Sequence, residues 1–417
     1  MILVWGALAL DVVLIFIASS DAGLSWTAGP VRIRLHDPSN PLLVAVALTG
    51  LLVAVSWRAP RRRAWALVAV AVVVALAAVA VTRHAQRLFP LADIAVIEMY
   101  ARDALTGKLL VGPYSRFGWH HPGPSYFYLI APIYALAGQQ PAALAAGAAA
   151  IMMAAVALIA WAAARSFGTV VTAALLTSVT AYLLRLPDLV TSPWNPHVIV
   201  LPTVALMVVS ATVACGDLAL LPVAALLASF VVQTHIALVP LAGSVVAVSA
   251  AAGLAHVARR GQGPQSVKAL SLTIWVILAM WFLPAAEQAT HAPGNITLLW
   301  RFFVLSPATG QTSSAALEAW ATMLAAPLGF TIPLAAGGTF VAEAAGRSIA
   351  VAALQLLALG GIAAWSGHRA LAWLARLCLL ASLVALWSVT RIQERIMDHE
   401  VFWLTSVGVL NLGVIGG

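Results

Sequence analysis

Residues 143–164 read ALAAGAAAIMMAAVALIAWAAA, an apolar stretch of 22 residues without a charge. A helix of that length rises about 33 Å, which is enough to cross the hydrocarbon core of a bilayer, about 30 Å thick. Comparable apolar runs recur along the whole chain, and none alternates as the strands of a membrane barrel do. The stretch therefore predicts an all-α, polytopic membrane protein.

The composition agrees with this class. Hydrophobic residues make up 62% of the 417 residues and charged residues only 9%, and the mean hydropathy is +0.98. A soluble protein of this length could not keep so much apolar surface in water. The net charge of +8 comes mainly from arginines in short connections between apolar runs. It therefore indicates orientation in the membrane, not nucleic-acid binding.

Cys215 and Cys378 lie in or beside apolar runs and lack metal-ligand spacing. The sequence therefore predicts no disulfide and no zinc site, and we assign no metal ligand and no cofactor, leaving a divalent metal ion open. The first apolar run, residues 1–19, lacks a basic leader and a small-residue cleavage site. We expect it to be a retained helix in which Asp11 faces other helices.

Arginine-rich connections set the expected orientation. RAPRRR at residues 58–63 carries four arginines and should face the cytoplasm, as should Arg165 and residues 258–268. Residues 83–140 then face outside, together with residues 185–197, 233–238 and 287–303. The spans predicted up to residue 286 are 1–19, 41–57, 64–82, 143–164, 169–184, 197–214, 218–234, 238–257 and 269–286.

The topology after residue 315 has two solutions. A cytoplasmic position for residues 368–376 requires that either 316–337 or 347–365 is re-entrant or interfacial. We favour 316–337, because it contains Glu318 and Trp320; if both runs cross, residues 390–400 fall inside. The prediction is a bundle of about 10–12 spans in one transmembrane domain, residues 1–417.

The external connection before residue 125 is long for a helical bundle and rich in aromatic residues, which indicates function. DIAVIEMYARDALTG, residues 93–107, predicts one amphipathic helix that ends at Gly107, with Glu98 and Arg102 as an i,i+4 pair. Asp93 lies at or near its N-cap. This carboxylate either caps the helix or accepts a proton from a hydroxyl at the membrane boundary.

Residues 112–138 begin with turn residues and continue as an aromatic, apolar helix. Tyr126, Phe127, Tyr128 and Tyr134 suit an interfacial belt. The adjacent residues His120 and His121 should point in different directions, so a metal site made from this pair is not expected. Contact with a phosphate or a sugar hydroxyl is the better interpretation of these histidines.

The order of these features resembles the GT-C superfamily of polytopic glycosyltransferases. The resemblance rests on a D-x4-E-x-Y helix (from Asp93), a G-x-Y-S element (from Gly112) and an HPGP-x-YFY segment (from His121). It is best over residues 90–190 and closest to protein mannosyltransferases and lipid A aminoarabinose transferases. It implies a GT-C-like bundle in the bacterial plasma (inner) membrane, a polyprenyl-phosphate sugar donor, and inverting transfer on the outer face to a glycan, lipid or protein acceptor of the cell envelope.

The resemblance also implies a general base in the first external loop, in residues 83–140. By position this base is Asp93, with Glu98 as the alternative, since many relatives place two acids together at the start of this helix and this chain does not. Relatives often carry K-P-P where this chain has His121, Pro122, Gly123 and Pro124. The role of His121 therefore follows from its position only.

A sugar on a polyprenyl phosphate already has a good leaving group, so such an enzyme needs a base and cations but no nucleotide-binding motif. The sequence has neither a Walker A nor a dinucleotide fingerprint. The candidate donor- or acceptor-binding residues are Tyr114, Arg116, His120, His121, Tyr126, Arg185, Asn195, His197, His235, Arg301, Arg391 and Arg395. Each arginine has the alternative of a snorkelling interfacial side chain.

VTRIQERIMDHEVFW, residues 389–403, predicts a helix that presents Arg391, Arg395 and His399 on one face. Glu394 and Asp398 have the same spacing, so the alternative is a plain ion-pair network. Two other function classes stay open for the chain. One is a lipid or solute transporter, which would use polar residues at the membrane midplane; the other is a structural subunit that assists a cell-wall enzyme.

Overall fold

The computed structural model describes residues 2–18, 24–28, 31–35, four positions between 41 and 48, and residues 89–260, 263–305, 310–328, 337–342 and 345–417. The regular secondary structure in these residues is helical apart from an antiparallel pair of strands, β1 (Leu24–Ala28) and β2 (Val31–Leu35). The helices are α1 (Ile2–Ala18), α2 (Asp93–Leu105), α3 (Ser125–Leu136), α4 (Ala142–Ser166), α5 (Gly168–Arg185), α6 (Asn195–Val198), α7 (Val200–Ala214), α8 (Leu221–Thr234), α9 (Val239–Arg259), α10 (Gly263–Thr290), α11 (Asn295–Trp300), α12 (Ser313–Ala325), α13 (Ala345–Trp365), α14 (Arg369–Thr390), α15 (Asp398–Val401) and α16 (Leu404–Ile415).

Seven helical segments of the described chain are long and apolar enough to cross a membrane. They are Ala142–Ser166, Gly168–Arg185, Asn195–Ala214, Ile236–Arg259, Ser266–Thr290, Ala345–Trp365 and Arg369–Thr390. The prediction of a polytopic helical protein is confirmed, and each of these segments except the last coincides with a predicted run. The predicted spans 41–57 and 64–82 lie almost entirely outside the described residues.

Two predicted runs form shorter helices. The run 218–234 gives only the 14 residues of α8, about 21 Å, because Leu218–Leu220 form a 3-10 turn and His235 is extended. The first part of the run 316–337 lies in α12, a helix of only 13 residues. Residues 329–336 lie outside the described chain, so the favoured re-entrant path remains a prediction.

The chain divides into two compact units. The first contains Met1–Lys108, Phe127–Arg165 and Thr180–Trp194, and the second contains Leu109–Tyr126, Ser166–Val179 and Asn195–Gly417. In the first unit, Asp11 is 3% exposed, which confirms that this acid faces the protein. Gly147 of α4 lies against Ile130 of α3, since a Cβ at this glycine would come within 3.1 Å of the Ile130 Cβ.

The core of the second unit is formed by α7 and α16. Every residue of α7 is buried, and this helix packs against α8, α9, α14 and α16. Helix α16 also packs against α12, α13 and α14. A Cβ on Gly408 would collide with the main-chain oxygen of Leu324, so α16 and α12 touch through their backbones. In a membrane no hydrophobic force drives helices together. Small residues such as this glycine stabilise the pair instead, because they permit close van der Waals packing.

A buried polar cluster joins four of these helices. Asn411 donates to Gln355 Oε1 at 3.1 Å and to Ser382 Oγ at 3.3 Å. Trp320 Nε1 donates to the Ser382 carbonyl at 2.8 Å, and Gln355 Nε2 donates to the Leu324 carbonyl at 3.2 Å. Hydrogen bonds of this kind hold apolar helices together in a fixed register.

Candidate functional site

Helix α2 has the predicted amphipathic form. Ile97, Ala101 and Ala104 are buried on one face, and the helix ends before Gly107, whose φ of +71° favours glycine. The N-cap, however, is Ala92, and no side chain caps the helix. The interpretation of Asp93 as a helix cap is therefore wrong, since Asp93 is the first helical residue.

The Asp93 carboxylate has a different partner. Trp194 Nε1 donates a hydrogen bond to Asp93 Oδ2 at 2.9 Å. Asp93 is exposed, and among the described residues it forms no ion pair. Its carboxylate is held at one oxygen by a neutral donor and retains acceptor capacity at the other.

Glu98, one turn and a half further along α2, is already engaged. Its Oε1 accepts from the Tyr134 hydroxyl at 2.8 Å and from Arg102 at 3.2 Å, and its side chain is only 13% exposed. The predicted Glu98–Arg102 pair is confirmed. Because both donors already occupy Oε1, the Glu98 carboxylate is less accessible to an acceptor hydroxyl than that of Asp93.

In the second unit, residues 112–121 form a tight loop that we call the histidine hairpin. Gly112 N donates to the His121 carbonyl at 3.0 Å, and Ser115 N donates to the Trp119 carbonyl at 3.0 Å. Gly118 turns the chain with a φ of +81°. A Cβ on Gly112 would lie 2.7 Å from three main-chain oxygens, so the hairpin needs glycine there.

The side chain of Asn295 fixes the hairpin at His120. Its Oδ1 accepts from His120 N at 2.8 Å, and its Nδ2 donates to the His120 carbonyl at 2.9 Å. The buried Glu287 carboxylate accepts from Asn295 N at 2.8 Å. Burial lowers the pKa of His120, and the charge of Glu287 acts in the opposite direction.

His121 has neighbours different from those of His120, whose ring centre lies 5.6 Å from that of Tyr114. The Nδ1 of His121 accepts from Ile236 N at 3.0 Å, which leaves the proton of the neutral ring on Nε2. Its ring stacks on that of His235 with the ring centres 5.1 Å apart, and it meets the Trp119 ring edge to face with the centres 5.6 Å apart. Burial lowers the pKa of His121 well below its usual range and the pKa of His235 to about 3, so both rings are neutral at physiological pH.

Gln233 joins the start of α3, just after the histidine hairpin, to α10. Pro284 has no N–H and so leaves the Met280 carbonyl without a helical partner. Gln233 Nε2 donates to that carbonyl at 2.7 Å, and Gln233 Oε1 accepts from Ser125 N at 3.3 Å. A Cβ on Gly123 would lie 2.7 Å from Pro284 Cγ, which shows how closely the segment packs on the proline.

The hairpin tip carries Arg116. This side chain lies 3.7 Å from Glu394 and 3.5 Å from Glu400, and its guanidinium lies 4.7 Å from the ring centre of Phe117. Burial raises the pKa of Glu400, while the Met397 N–H and Arg116 act in the opposite direction. Two carboxylates therefore already neutralise the positive charge of Arg116.

The helix predicted over residues 389–403 is wrong. Helix α14 ends at Thr390, Glu394 has a φ of +61°, and the next helix begins at Asp398. Long-range contacts hold this loop, because Gln311 donates to the carbonyls of Ile392 and Glu394. Arg391, Arg395 and His399 therefore share no helix face, and both arginines are exposed.

The acidic residues near this loop do not form the ion-pair network predicted for them. Glu394 pairs with Arg116, and Asp398 accepts from Gly337 N at 3.0 Å and lies 3.6 Å from His399. Neither acid is ion-paired with Arg391 or Arg395 in the described chain.

The remaining candidates fall into exposed and buried sets. Tyr114, Arg185 and Arg301 are exposed, whereas Tyr126, Asn195 and His197 are buried. Asn195 Nδ2 donates to the Thr234 carbonyl at 3.2 Å, and the ring of His197 lies 4.9 Å from that of Phe402. Tyr126, Phe127 and Tyr134 are each 0% exposed, so the interfacial belt is wrong for these three rings.

The second unit thus brings together Tyr114, Arg116, His120, His121 and His235 at the hairpin, whereas Asp93, Glu98 and Arg185 belong to the first unit. The sequence patterns did not point to Trp194, Glu287, Asn295 and Glu400. A buried acid at the end of an apolar run was a usable signal for Glu287, because such residues are rare in membrane helices.

Within the described residues no group of three or more histidine, cysteine, aspartate or glutamate side chains could hold a metal ion. No model of a protein family matches the chain, and no curated protein matches it either.

Proposed function

We propose that this protein is a membrane glycosyltransferase that moves a sugar from a polyprenyl-phosphate donor to a cell-envelope acceptor on the external membrane face, with the GT-C-like organisation suggested by its first external loop. The observation that carries the proposal is Asp93. It is an exposed carboxylate at the start of an amphipathic helix, oriented by Trp194 and without an ion pair in the described chain. Glu98 is engaged by Arg102 and Tyr134, which supports Asp93 as the base.

In the proposed reaction, an acceptor hydroxyl attacks the anomeric carbon of the donor sugar. The new C–O bond forms as the bond from the anomeric carbon to the phosphate oxygen breaks, and the bonding pair leaves with the polyprenyl phosphate. The hydroxyl proton passes to the Asp93 carboxylate. Attack opposite the leaving group inverts the configuration at the sugar carbon.

The direct test of this function uses the purified protein with a panel of polyprenyl-phosphate-linked sugars. We expect release of polyprenyl phosphate that depends on an added glycan, lipid or protein acceptor. If every donor in the panel is recovered uncleaved although the protein is folded, the result would count against the proposal.

The departing phosphate needs positive charge. Arg116 is neutralised by two carboxylates, whereas Arg391 and Arg395 are exposed and form no ion pair in the described chain. An arginine that has no ion pair does not lose an existing charge interaction when it binds an anion. We therefore assign the donor phosphate to Arg391 or Arg395 in preference to Arg116.

This assignment predicts which of two arginine variants has the higher donor KM. Arg391→Ala should raise the donor KM by about tenfold or more, the cost of one hydrogen bond to a charged group. Arg116→Ala should raise it less, and neither variant should change the acceptor KM. Steady-state kinetics with varied donor measure the effect, and a larger donor effect for Arg116→Ala would reverse the assignment.

The proposed orientation predicts the labelling of three exposed positions. In a background with Cys215 and Cys378 replaced by serine, Lys108→Cys and Asp188→Cys should react with an impermeant thiol reagent on intact cells. Arg260→Cys should react only after permeabilisation, because arginine-rich connections face the cytoplasm. Protection of both external positions would overturn this orientation.

Transport of a lipid or solute is the second candidate function, and the polar cluster around Asn411 favours it. Polar side chains inside apolar helices often mark transport pathways. Here Asn411, Gln355 and Ser382 bond to one another, which also suits a structural role. Uptake into proteoliposomes that stops in Asn411→Leu, without any sugar transfer by the wild type, would favour transport.

A further inference from the structure

The indole of Trp194 makes a contact that the sequence did not suggest. Its Nε1 lies 2.9 Å from Asp93 Oδ2, although the two residues are 101 positions apart in the chain. An indole N–H can only donate a hydrogen bond, so it cannot take a proton from the carboxyl group. The contact therefore orients Asp93 without competing for the proton that a base receives.

The backbone around Trp194 holds the ring in place. The preceding 3-10 turn, Pro187–Val190, buries Leu189 and Val190, and Pro193 is also buried. Trp194 N donates to Ser192 Oγ at 3.4 Å, a local turn that restricts the backbone at the tryptophan. The ring is half-buried, so its position is set by packing as well as by the hydrogen bond.

The side chain of an exposed aspartate normally exchanges among several rotamers. The fraction of molecules in rotamers other than the reactive one lowers the rate. Fixing a catalytic group in its reactive geometry removes that entropic loss before the reaction begins. With Oδ2 held by Trp194, Oδ1 is the oxygen that stays available to an acceptor hydroxyl. The hydrogen bond therefore selects which carboxylate oxygen acts.

We propose that Trp194 is a positioning residue that orients the Asp93 carboxylate for proton abstraction, an inference that rests on the proposed glycosyltransferase function. Trp194 contacts the Asp93 carboxylate, and in this role it acts on the sugar only through that base. Its loss should therefore slow the chemical step and leave substrate binding unchanged.

The test replaces Trp194 in two ways. Trp194→Phe removes the N–H and part of the ring, and 3-benzothienylalanine at position 194 keeps the shape but replaces the N–H by sulfur. Both should lower kcat by about tenfold to a hundredfold, the effect of one hydrogen bond to a charged group, with the donor KM within about twofold of the wild type. A purely structural role would be restored by the isosteric replacement.

Trp281→Phe is the matched control. It removes another indole hydrogen bond, from Trp281 Nε1 to Ser229 Oγ at 3.1 Å, and should leave kcat unchanged. The double variant of Asp93→Asn with Trp194→Phe should be no slower than Asp93→Asn alone, because Trp194 acts through that carboxylate.

The outcomes separate this inference from the function on which it rests. Wild-type kcat with 3-benzothienylalanine at position 194, combined with an inactive Asp93→Asn variant, would refute the role of Trp194 and leave Asp93 as the base. A further loss in the double variant would also refute it. An active Asp93→Asn variant would instead remove Asp93 as the base and with it the reaction as proposed.

Discussion

Asp93→Asn should lower the rate of sugar transfer to a small residual value and leave the protein folded and inserted. The amide has the shape of the carboxyl group, and its oxygen can still accept the hydrogen bond from Trp194, but it cannot take the proton of an acceptor hydroxyl. Loss of a general base costs about a hundredfold or more in rate. Release of polyprenyl phosphate measures the loss, and an unchanged thermal midpoint in detergent establishes that the variant is folded.

Glu98→Gln is the matched control for this variant. Glu98 accepts from Tyr134 and Arg102, and an amide oxygen can still accept from both. We expect this variant to retain most of its activity and to lose a few tenths of a kcal/mol of stability, which is what an i,i+4 ion pair on a helix typically contributes. If Glu98→Gln is inactive and Asp93→Asn is active, the base is Glu98.

Features set by local pattern could be predicted from the sequence. The long helices follow from the length of the apolar runs, and α2 follows from its period, its i,i+4 pair and its terminal glycine. Each of these signals is complete within about 25 residues of chain. No information from distant residues is needed to interpret them.

Features set by distant contacts could not be predicted in this way. Residues 391–397 have helical spacing of charges, yet Gln311 holds them as a loop from 81 and 83 positions away. Asn295 binds His120 across 175 positions, and Trp194 binds Asp93 across 101. A periodic sequence pattern contains no information on such distant partners. The residues that fix the candidate site were therefore not predicted.

The histidine hairpin depends on such a distant contact, and Gln233→Met should destabilise the protein. Gln233 is 0% exposed and satisfies two main-chain groups, the Met280 carbonyl freed by Pro284 and the N–H of Ser125. Methionine has a similar volume but no donor and only a weak sulfur acceptor, so the Met280 carbonyl and the Ser125 N–H would both lose their partner. Each buried unsatisfied group costs about 1–3 kcal/mol, so the total loss for the two groups should be about 2–6 kcal/mol.

The free energy of unfolding in mixed micelles of detergent and denaturing surfactant measures this change. Gln140→Met is the matched control, because Gln140 is exposed and its substitution should change stability by less than about 0.5 kcal/mol. The variant should also loosen the hairpin, since Ser125 follows directly after the segment that packs Gly123 on Pro284. Faster hydrogen exchange at the amides of residues 112–125 would report this loosening. Unchanged stability together with unchanged exchange would mean that Gln233 does not hold the proline carbonyl and the hairpin segment together.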